Sequence, residues 1–222
     1  MDPGPDERVR EAPVRVRLTR SGPAPGLPKA RYRGAPLPGP VAIRELRWTD
    51  FESLVDIYFE LYDEREQDPL LGIHLFHDRP TRESEITWFS DLFVRVLRGE
   101  AVVAVAEEDG RAVGNCTVGG VGPQDPRSET SHVGVLGILV DRRYRGRGIG
   151  HALLVRALEE ARGRFERVRL TVFATNERAR HLYEQVGFRV SGRLEGEVKR
   201  GDRYLDLDEL SLDLTAWKPP GT

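Results

Sequence analysis

Three alternating glycines, Gly146, Gly148 and Gly150, follow an apolar run and lead directly into a predicted amphipathic helix. Backbone N–H groups at a helix N-terminus, with no Cβ atoms above them, form a site for an anion. The helix dipole adds about half a positive charge at that end, and Arg145 and Arg147 flank the first glycine. These residues predict a loop that binds a phosphate-bearing ligand.

The spacing of these glycines excludes two common phosphate-binding loops. The dinucleotide fingerprint, Gly-x-Gly-x-x-Gly/Ala, would need a small residue where His151 or Leu153 stands. The nucleotide-triphosphate loop would need Gly-Lys-Ser/Thr, whereas Ile149 and Gly150 follow Gly148 here. The remaining pattern, Arg-x-x-Gly-x-Gly after a strand, is also compatible with a surface turn in an arginine-rich chain.

A second motif spans residues 176–188 and follows the next predicted strand. Asn176 suits a helix N-cap, and Gly187 suits the left-handed residue that ends a helix. The apolar side chains between them lie on one helix face: Ala179, Leu182, Tyr183 and Val186. Taken alone, this segment indicates a packed helix with a tyrosine in its core.

Taken together, the two motifs resemble those of the GNAT superfamily of acetyl-CoA-dependent N-acetyltransferases. Its second motif, Asn-x-x-Ala-x-x-Leu-Tyr-x-x-x-Gly-Phe, is complete from Asn176 to Phe188. The strong resemblance spans about 133–214, and the end of the chain is similar to the ribosomal-protein and diamine acetyltransferase branches. It implies an α/β (α+β) fold whose mixed, mostly antiparallel sheet is flanked by helices, in the order β-α-α-β-β-β-α-β-α-β-β.

The resemblance also implies how acetyl-CoA is held. The loop N–H groups would bind the pyrophosphate, and the main chain of the preceding strand would bind the pantetheine arm. The residues expected to contact the cofactor are Ile138, Leu139, Val140, Arg145, Gly146, Arg147, Gly148, Ile149, Gly150, His151, Asn176 and Tyr183. No metal is expected, because His74 and His77 have no evident third ligand.

Transfer of an acyl group from a thioester to an amine needs a stabilised leaving thiolate, and the resemblance makes Tyr183 the general acid. A phenol of pKa about 10 is a weaker acid than a thiol of about 8.5, so its contribution is a hydrogen bond that strengthens as charge develops on sulfur. Ribosomal-protein N-acetyltransferases carry a glutamate where this chain has Thr171. His132 and Glu107 are therefore the candidate bases, beside plain surface roles and a water chain to solvent.

The predicted function is transfer of an acetyl group from acetyl-CoA to a primary amine of a small molecule or a protein N-terminus. The expected acceptor segments are acidic, with Glu60, Asp63, Glu64, Glu66, Asp68, Glu195, Glu197, Asp202, Asp206, Asp208 and Glu209. These carboxylates would attract a cationic amine, or they are solvated side chains interleaved with arginines. The alternatives are a non-catalytic module that binds or senses coenzyme A, and transfer of a larger acyl group.

The whole chain of 222 residues carries a net charge of −2, which gives no general attraction to nucleic acid. No apolar run approaches the ~20 residues that span a membrane, and the N-terminus lacks the apolar core of a secretory signal. We therefore expect a cytoplasmic protein, and a homodimer is compatible with the sequence. We predict a domain at 41–214, a disordered Pro/Gly/Arg-rich extension at 1–40 and a tail at 215–222.

Two local predictions concern the ends of this domain. The first helix is expected over 50–62, followed by a polar, irregular connection. In the last strand, Leu205 and Leu207 alternate, and a second alternating leucine series then begins at Leu210. This shift predicts a bulge or bend near Asp208 and Glu209.

Overall fold

A computed structural model describes residues 41–68, 71–73, 75–120 and 128–220. Its elements follow the predicted order, which confirms the fold class. The strands are β1 (Ala42–Glu45), β2 (Ala101–Glu108), β3 (Arg111–Gly120), β4 (Val133–Val140), β5 (Arg167–Phe173), β6 (Arg189–Arg200) and β7 (Arg203–Asp213). The helices are α1 (Phe51–Gln67), α2 (Arg82–Leu97), α3 (Ile149–Ala161) and α4 (Glu177–Val186). The extension predicted at 1–40 lies outside the described residues.

The strands form one sheet in the order β1-β2-β3-β4-β5-β7-β6, and β4–β5 is its parallel pair. The core on one face of the sheet contains the inward residues of α3 and α4, and the cores on the other face contain those of α1 and α2. Ile138 of β4 belongs to the core on the α3/α4 face, and Leu139 packs against the cores on the α1/α2 face. Strand β4 is therefore covered on both faces, which explains its continuous apolar sequence. Among the described residues, no helix is long and apolar enough to cross a membrane.

The core includes residues beyond the predicted end of the first helix and in the segment 215–222. Helix α1 continues past Tyr62 to Gln67, and its last turns bring Glu64 into the interior with 7% exposure. At the C-terminal end, Trp217 is 6% exposed, and its indole N–H donates to the carbonyl of Val186 over 2.7 Å. The packed domain therefore includes Trp217, which lies in the segment predicted as a tail.

A register shift does occur at the position predicted near Asp208 and Glu209, but the extra residue is on β6: Val190 pairs with Leu210, and Gly192 pairs with Glu209. Strand β7 itself keeps one continuous register against β5. The leucines pass from odd to even positions because the face that they cover changes while the backbone stays regular. Asp208 occupies an even position and is 1% exposed, where it accepts hydrogen bonds from arginines on α4 and β6.

Candidate active site

Strands β4 and β5 separate after a short stretch of pairing. Their register joins residues 133–135 to 167–169. The other edge of β4 faces β3, and there the N–H of Asp141 donates to the carbonyl of Val113 over 2.9 Å. Hydrogen-bonded and non-bonded pairs alternate along an antiparallel ladder, so the odd-numbered residues of β4 are the ones bonded to β3. The even-numbered residues beyond this pairing direct their backbone polar groups into the opening between β4 and β5. They are Leu136, Ile138 and Val140.

The loop between β4 and α3 turns through two left-handed glycines. Gly146 has φ +83° and Gly148 has φ +81°, a region that favours glycine over residues with a Cβ. Gly148 is also the N-cap of α3, so the first N–H groups of this helix point toward the loop. Ile149 is buried beneath them, and His151 is partly exposed in the first turn. The loop and helix thus have the geometry of an anion-binding N-terminus.

Helix α4 lies against this loop because two glycines leave room for it. A Cβ on Gly146 would lie 2.9 Å from a terminal nitrogen of Arg178, and a Cβ on Gly150 would lie 3.3 Å from a methyl group of Leu182. The guanidinium of Arg178 therefore places a positive charge beside the loop. No local signal in the sequence indicates this position of Arg178, because only the packing of α4 brings it there.

Arg145 is engaged in contacts within the protein. Its guanidinium donates to both carboxylate oxygens of Glu64 over 2.8 and 2.9 Å, and its Nε–H donates to the carbonyl of Val140 over 2.9 Å. The two side chains are only 9% and 8% exposed. Arg145 therefore anchors the loop to α1 and β4. Arg147 is partly exposed, and its guanidinium lies 5.0 Å from the ring centre of Tyr144.

The side chain of Tyr183 is fully buried on the α3/α4 face of the sheet, with its ring edge-on to Phe188 at 5.9 Å. No described residue forms a hydrogen bond with its hydroxyl group. Cys116 belongs to the same core and pairs with Ile138 across β3 and β4. Burial, together with the nearby Cys116 thiol, raises the pKa of Tyr183 well above 10. The hydroxyl therefore stays protonated and keeps its hydrogen for donation to an acceptor.

The structure does not bring either candidate base to Tyr183. His132 is exposed at the start of β4, six residues before Ile138, which is roughly 20 Å along a strand. The carboxylate of Glu107 pairs with Arg44 and Arg47 on the far side of β2. Glu107 is therefore engaged in ion pairs on the part of the sheet away from β4 and β5.

Asn176 is engaged within the protein and is 1% exposed. Its Oδ1 accepts from the N–H of Ala179 over 3.1 Å, which caps α4 as predicted, and its Nδ2 donates to the carbonyl of Gly72 over 3.1 Å. His77 is exposed beside Asp78, and His74 lies outside the described residues. In the described part of the chain, no three potential metal-binding side chains cluster.

Known proteins are similar to this chain in sequence and fold. The family model described as acetyltransferase (GNAT) family matches residues 42–188. The L-amino acid N-acetyltransferase AaaT of Escherichia coli K12 is 28% identical over 75% of this chain and 93% of its own length. The ribosomal-protein-alanine N-acetyltransferase of Brucella melitensis has a crystal structure that is 27% identical, with a TM-score of 0.63 over 78% of this chain and 99% of that one.

The fold is also that of YncA from Salmonella typhimurium, whose structure contains its cofactor acetyl-CoA. This structure has a TM-score of 0.67 and 22% identity, and it covers 81% of this chain and 97% of that one. The family match extends from β1 to the end of the tyrosine motif and so includes the separated strands, the glycine loop and α4. The chain therefore belongs to the acetyltransferase (GNAT) family and is an N-acetyltransferase.

Proposed function

We propose that this protein transfers the acetyl group of acetyl-CoA to the α-amino group of an L-amino acid. The observation that carries the proposal is the buried hydroxyl of Tyr183, which has no partner among the described residues and belongs to the core beneath the opening between β4 and β5. Buried hydroxyl groups are rarely left without a hydrogen bond, so this one fits a site where a ligand supplies the acceptor.

Bound acetyl-CoA supplies an activated thioester, and the rest of the site holds it in place. The backbone N–H and carbonyl of Ile138 and the backbone N–H of Val140 bind the pantetheine arm at the free edge of β4, since the carbonyl of Val140 already accepts from Arg145. The N–H groups at the start of α3 bind the pyrophosphate, and the guanidinium of Arg178 adds a positive charge beside them. Arg145 keeps the loop in position through its ion pair with Glu64.

The role of Tyr183 is to stabilise the leaving thiolate by a hydrogen bond. Its raised pKa keeps the phenol protonated, and full proton transfer from such a weak acid to a thiolate is unfavourable. A donor that is fixed before the reaction lowers the barrier because no reorganisation is needed when charge develops. The amine loses its proton to water, since neither His132 nor Glu107 reaches this region.

Two observations favour an amino acid as acceptor over a strongly cationic amine. AaaT is named for L-amino acids, and the Brucella protein is named for the alanine of ribosomal protein, so both names refer to α-amino groups. Among the acidic residues of the expected acceptor segments, Glu64 and Asp208 already have arginine partners. Those two carboxylates are therefore not available to attract a polyamine.

The test is release of coenzyme A thiol from acetyl-CoA with L-amino acids, peptides that begin with alanine, and polyamines. We expect turnover with L-amino acids and loss of turnover in Tyr183→Phe. Turnover with peptides alone would make a protein N-terminus the acceptor. Turnover with succinyl-CoA alone would indicate a larger acyl group, and binding of coenzyme A without turnover on any amine would indicate a sensing module.

A further inference from the structure

Residues 71–73, called the strap below, lie in the connection between α1 and α2, and all three of their carbonyl oxygens accept hydrogen bonds from side chains of distant elements. Arg200, the last residue of β6, donates to the carbonyl of Leu71 over 2.7 Å and to that of Ile73 over 2.9 Å. The carbonyl between them belongs to Gly72 and accepts from the amide of Asn176. The last residue of β6 and the N-cap of α4 therefore hold the strap together.

The strap is linked to both of the strands that separate at the site. Leu71 and Ile73 are buried and belong to a core that also contains Leu139 of β4. The guanidinium of Arg200 lies 5.5 Å from the ring centre of Phe173, the last residue of β5. The strap and Arg200 thus join the two strands that separate at the site, on the side of the sheet that α1 and α2 cover.

This side is the opposite one from the cofactor loop. The glycine loop leads into α3, and Tyr183 belongs to the core on the α3/α4 face. If the phosphates of acetyl-CoA bind at α3, the amine must reach the thioester from the α1/α2 face, where the strap lies. The strap therefore forms part of the wall that the acceptor meets.

Arg200 is a partly buried cation that lies near a second guanidinium group. Burial and the neighbouring Arg65 both lower the pKa of Arg200 from its usual value. Arg65 itself donates to the carbonyls of Phe76 and His77, farther along the same connection. Two guanidinium groups thus support one connection by binding its backbone.

We propose that Arg200 is a positioning residue for the amine acceptor, which acts by fixing the strap on the acceptor side of the opening between β4 and β5. The proposal rests on the proposed function for the identity of the acceptor. The contacts between Arg200 and the strap are independent of that identity. Arg200 does not touch the reacting atoms, so its loss should change acceptor binding without changing acetyl-CoA binding.

The experiment compares Arg200→Gln and Arg200→Lys with wild type, and uses Lys199→Gln as the matched control. Lys199 is the exposed neighbour on β6, and its ammonium group lies 5.6 Å from the ring centre of Tyr204 rather than at the strap. The readouts are the KM for the amino acid, the KM for acetyl-CoA, and hydrogen exchange of the amides of Leu71 and Ile73.

For Arg200→Gln we expect the acceptor KM to rise roughly ten- to a hundredfold, as for loss of a hydrogen bond to a charged group. The KM for acetyl-CoA should stay within about twofold, and both strap amides should exchange faster. Arg200→Lys should lie in between, because an ammonium group cannot reproduce the fork that binds two carbonyls. Lys199→Gln should match wild type in all three readouts.

Two results would overturn the proposal. Unchanged exchange at the strap in Arg200→Gln would mean that Arg200 does not hold it, and faster exchange with an unchanged acceptor KM would mean that the strap does not position the acceptor. If wild type acetylates no amine, the proposed function fails instead. In that case the exchange rates alone decide whether Arg200 fixes the strap.

Discussion

Replacing Tyr183 with phenylalanine should stabilise the protein while it abolishes most of the activity. The hydroxyl is fully buried and no described residue bonds to it, and a buried polar group without a partner costs about 1–3 kcal/mol. The ring contact with Phe188 remains in the variant. The free energy of unfolding should therefore increase by about that amount, which for a domain of this size raises Tm by roughly 2–12 °C.

Activity should change in the opposite direction. Loss of a donor that stabilises developing charge reduces kcat by about 10²–10³-fold. The affinity for acetyl-CoA should stay nearly constant, because the pyrophosphate and the pantetheine arm contact other residues. Thermal unfolding without ligand, thiol release and titration with coenzyme A measure these three quantities on one preparation.

Tyr144→Phe is the matched control for the stability measurement. The hydroxyl of Tyr144 donates to the carboxylate of Glu108 over 2.6 Å, so its removal breaks a hydrogen bond and should lower Tm. A Tyr183→Phe variant that is destabilised like the control would show that its hydroxyl has an internal partner. A variant that keeps full activity would refute the role of Tyr183 as the hydrogen-bond donor to the leaving thiolate.

Three further predictions concern charged groups around the cofactor loop. Glu64→Gln should cost about 3–5 kcal/mol by leaving the guanidinium of Arg145 buried without its counter-ion, while Glu64→Leu combined with Arg145→Met should recover much of the Tm. Arg178→Gln should weaken binding of acetyl-CoA and reduce the salt dependence of that binding. The KM for acetyl-pantetheine should not change, because this substrate has no phosphate groups. Burial alone would raise the pKa of Asp141, but the hydrogen bonds from Arg143 lower this pKa overall. The contribution of Asp141 to stability is therefore present above about pH 4 and is lost as the pH falls further. In acid titrations of Tm, the difference between wild type and Asp141→Asn should shrink below that pH.

The sequence predicts the elements of this fold well because each depends on neighbouring residues. The helix that carries Tyr183 begins at its predicted cap, Asn176, and ends at Gly187, which has φ +109°. The apolar run before the glycine loop is a strand, as predicted. In these segments, side-chain periodicity and capping are local signals that the tertiary structure does not override.

The contacts that shape the site depend instead on pairs of residues far apart in the chain. Arg145 looks like a free charge in the sequence because nothing near it indicates that Glu64 on α1 becomes its partner. The strap is equally hidden, since Arg200 follows Leu71 by more than one hundred residues. The leucines of β7 indicate the position of the irregularity but not the strand that carries the extra residue, because the partner β6 lies elsewhere in the sequence.

The single cysteine can report local unfolding of the core. Cys116 is fully buried, and burial raises the pKa of its thiol well above the usual range, so it is shielded from thiol reagents in the folded state. Ellman-type assays of coenzyme A release should therefore have no background from the enzyme. Without substrate, the same reagent would react only as fast as local unfolding exposes Cys116. One chromophore therefore measures both catalytic turnover and the rate of local unfolding in the core that contains Cys116 and Tyr183.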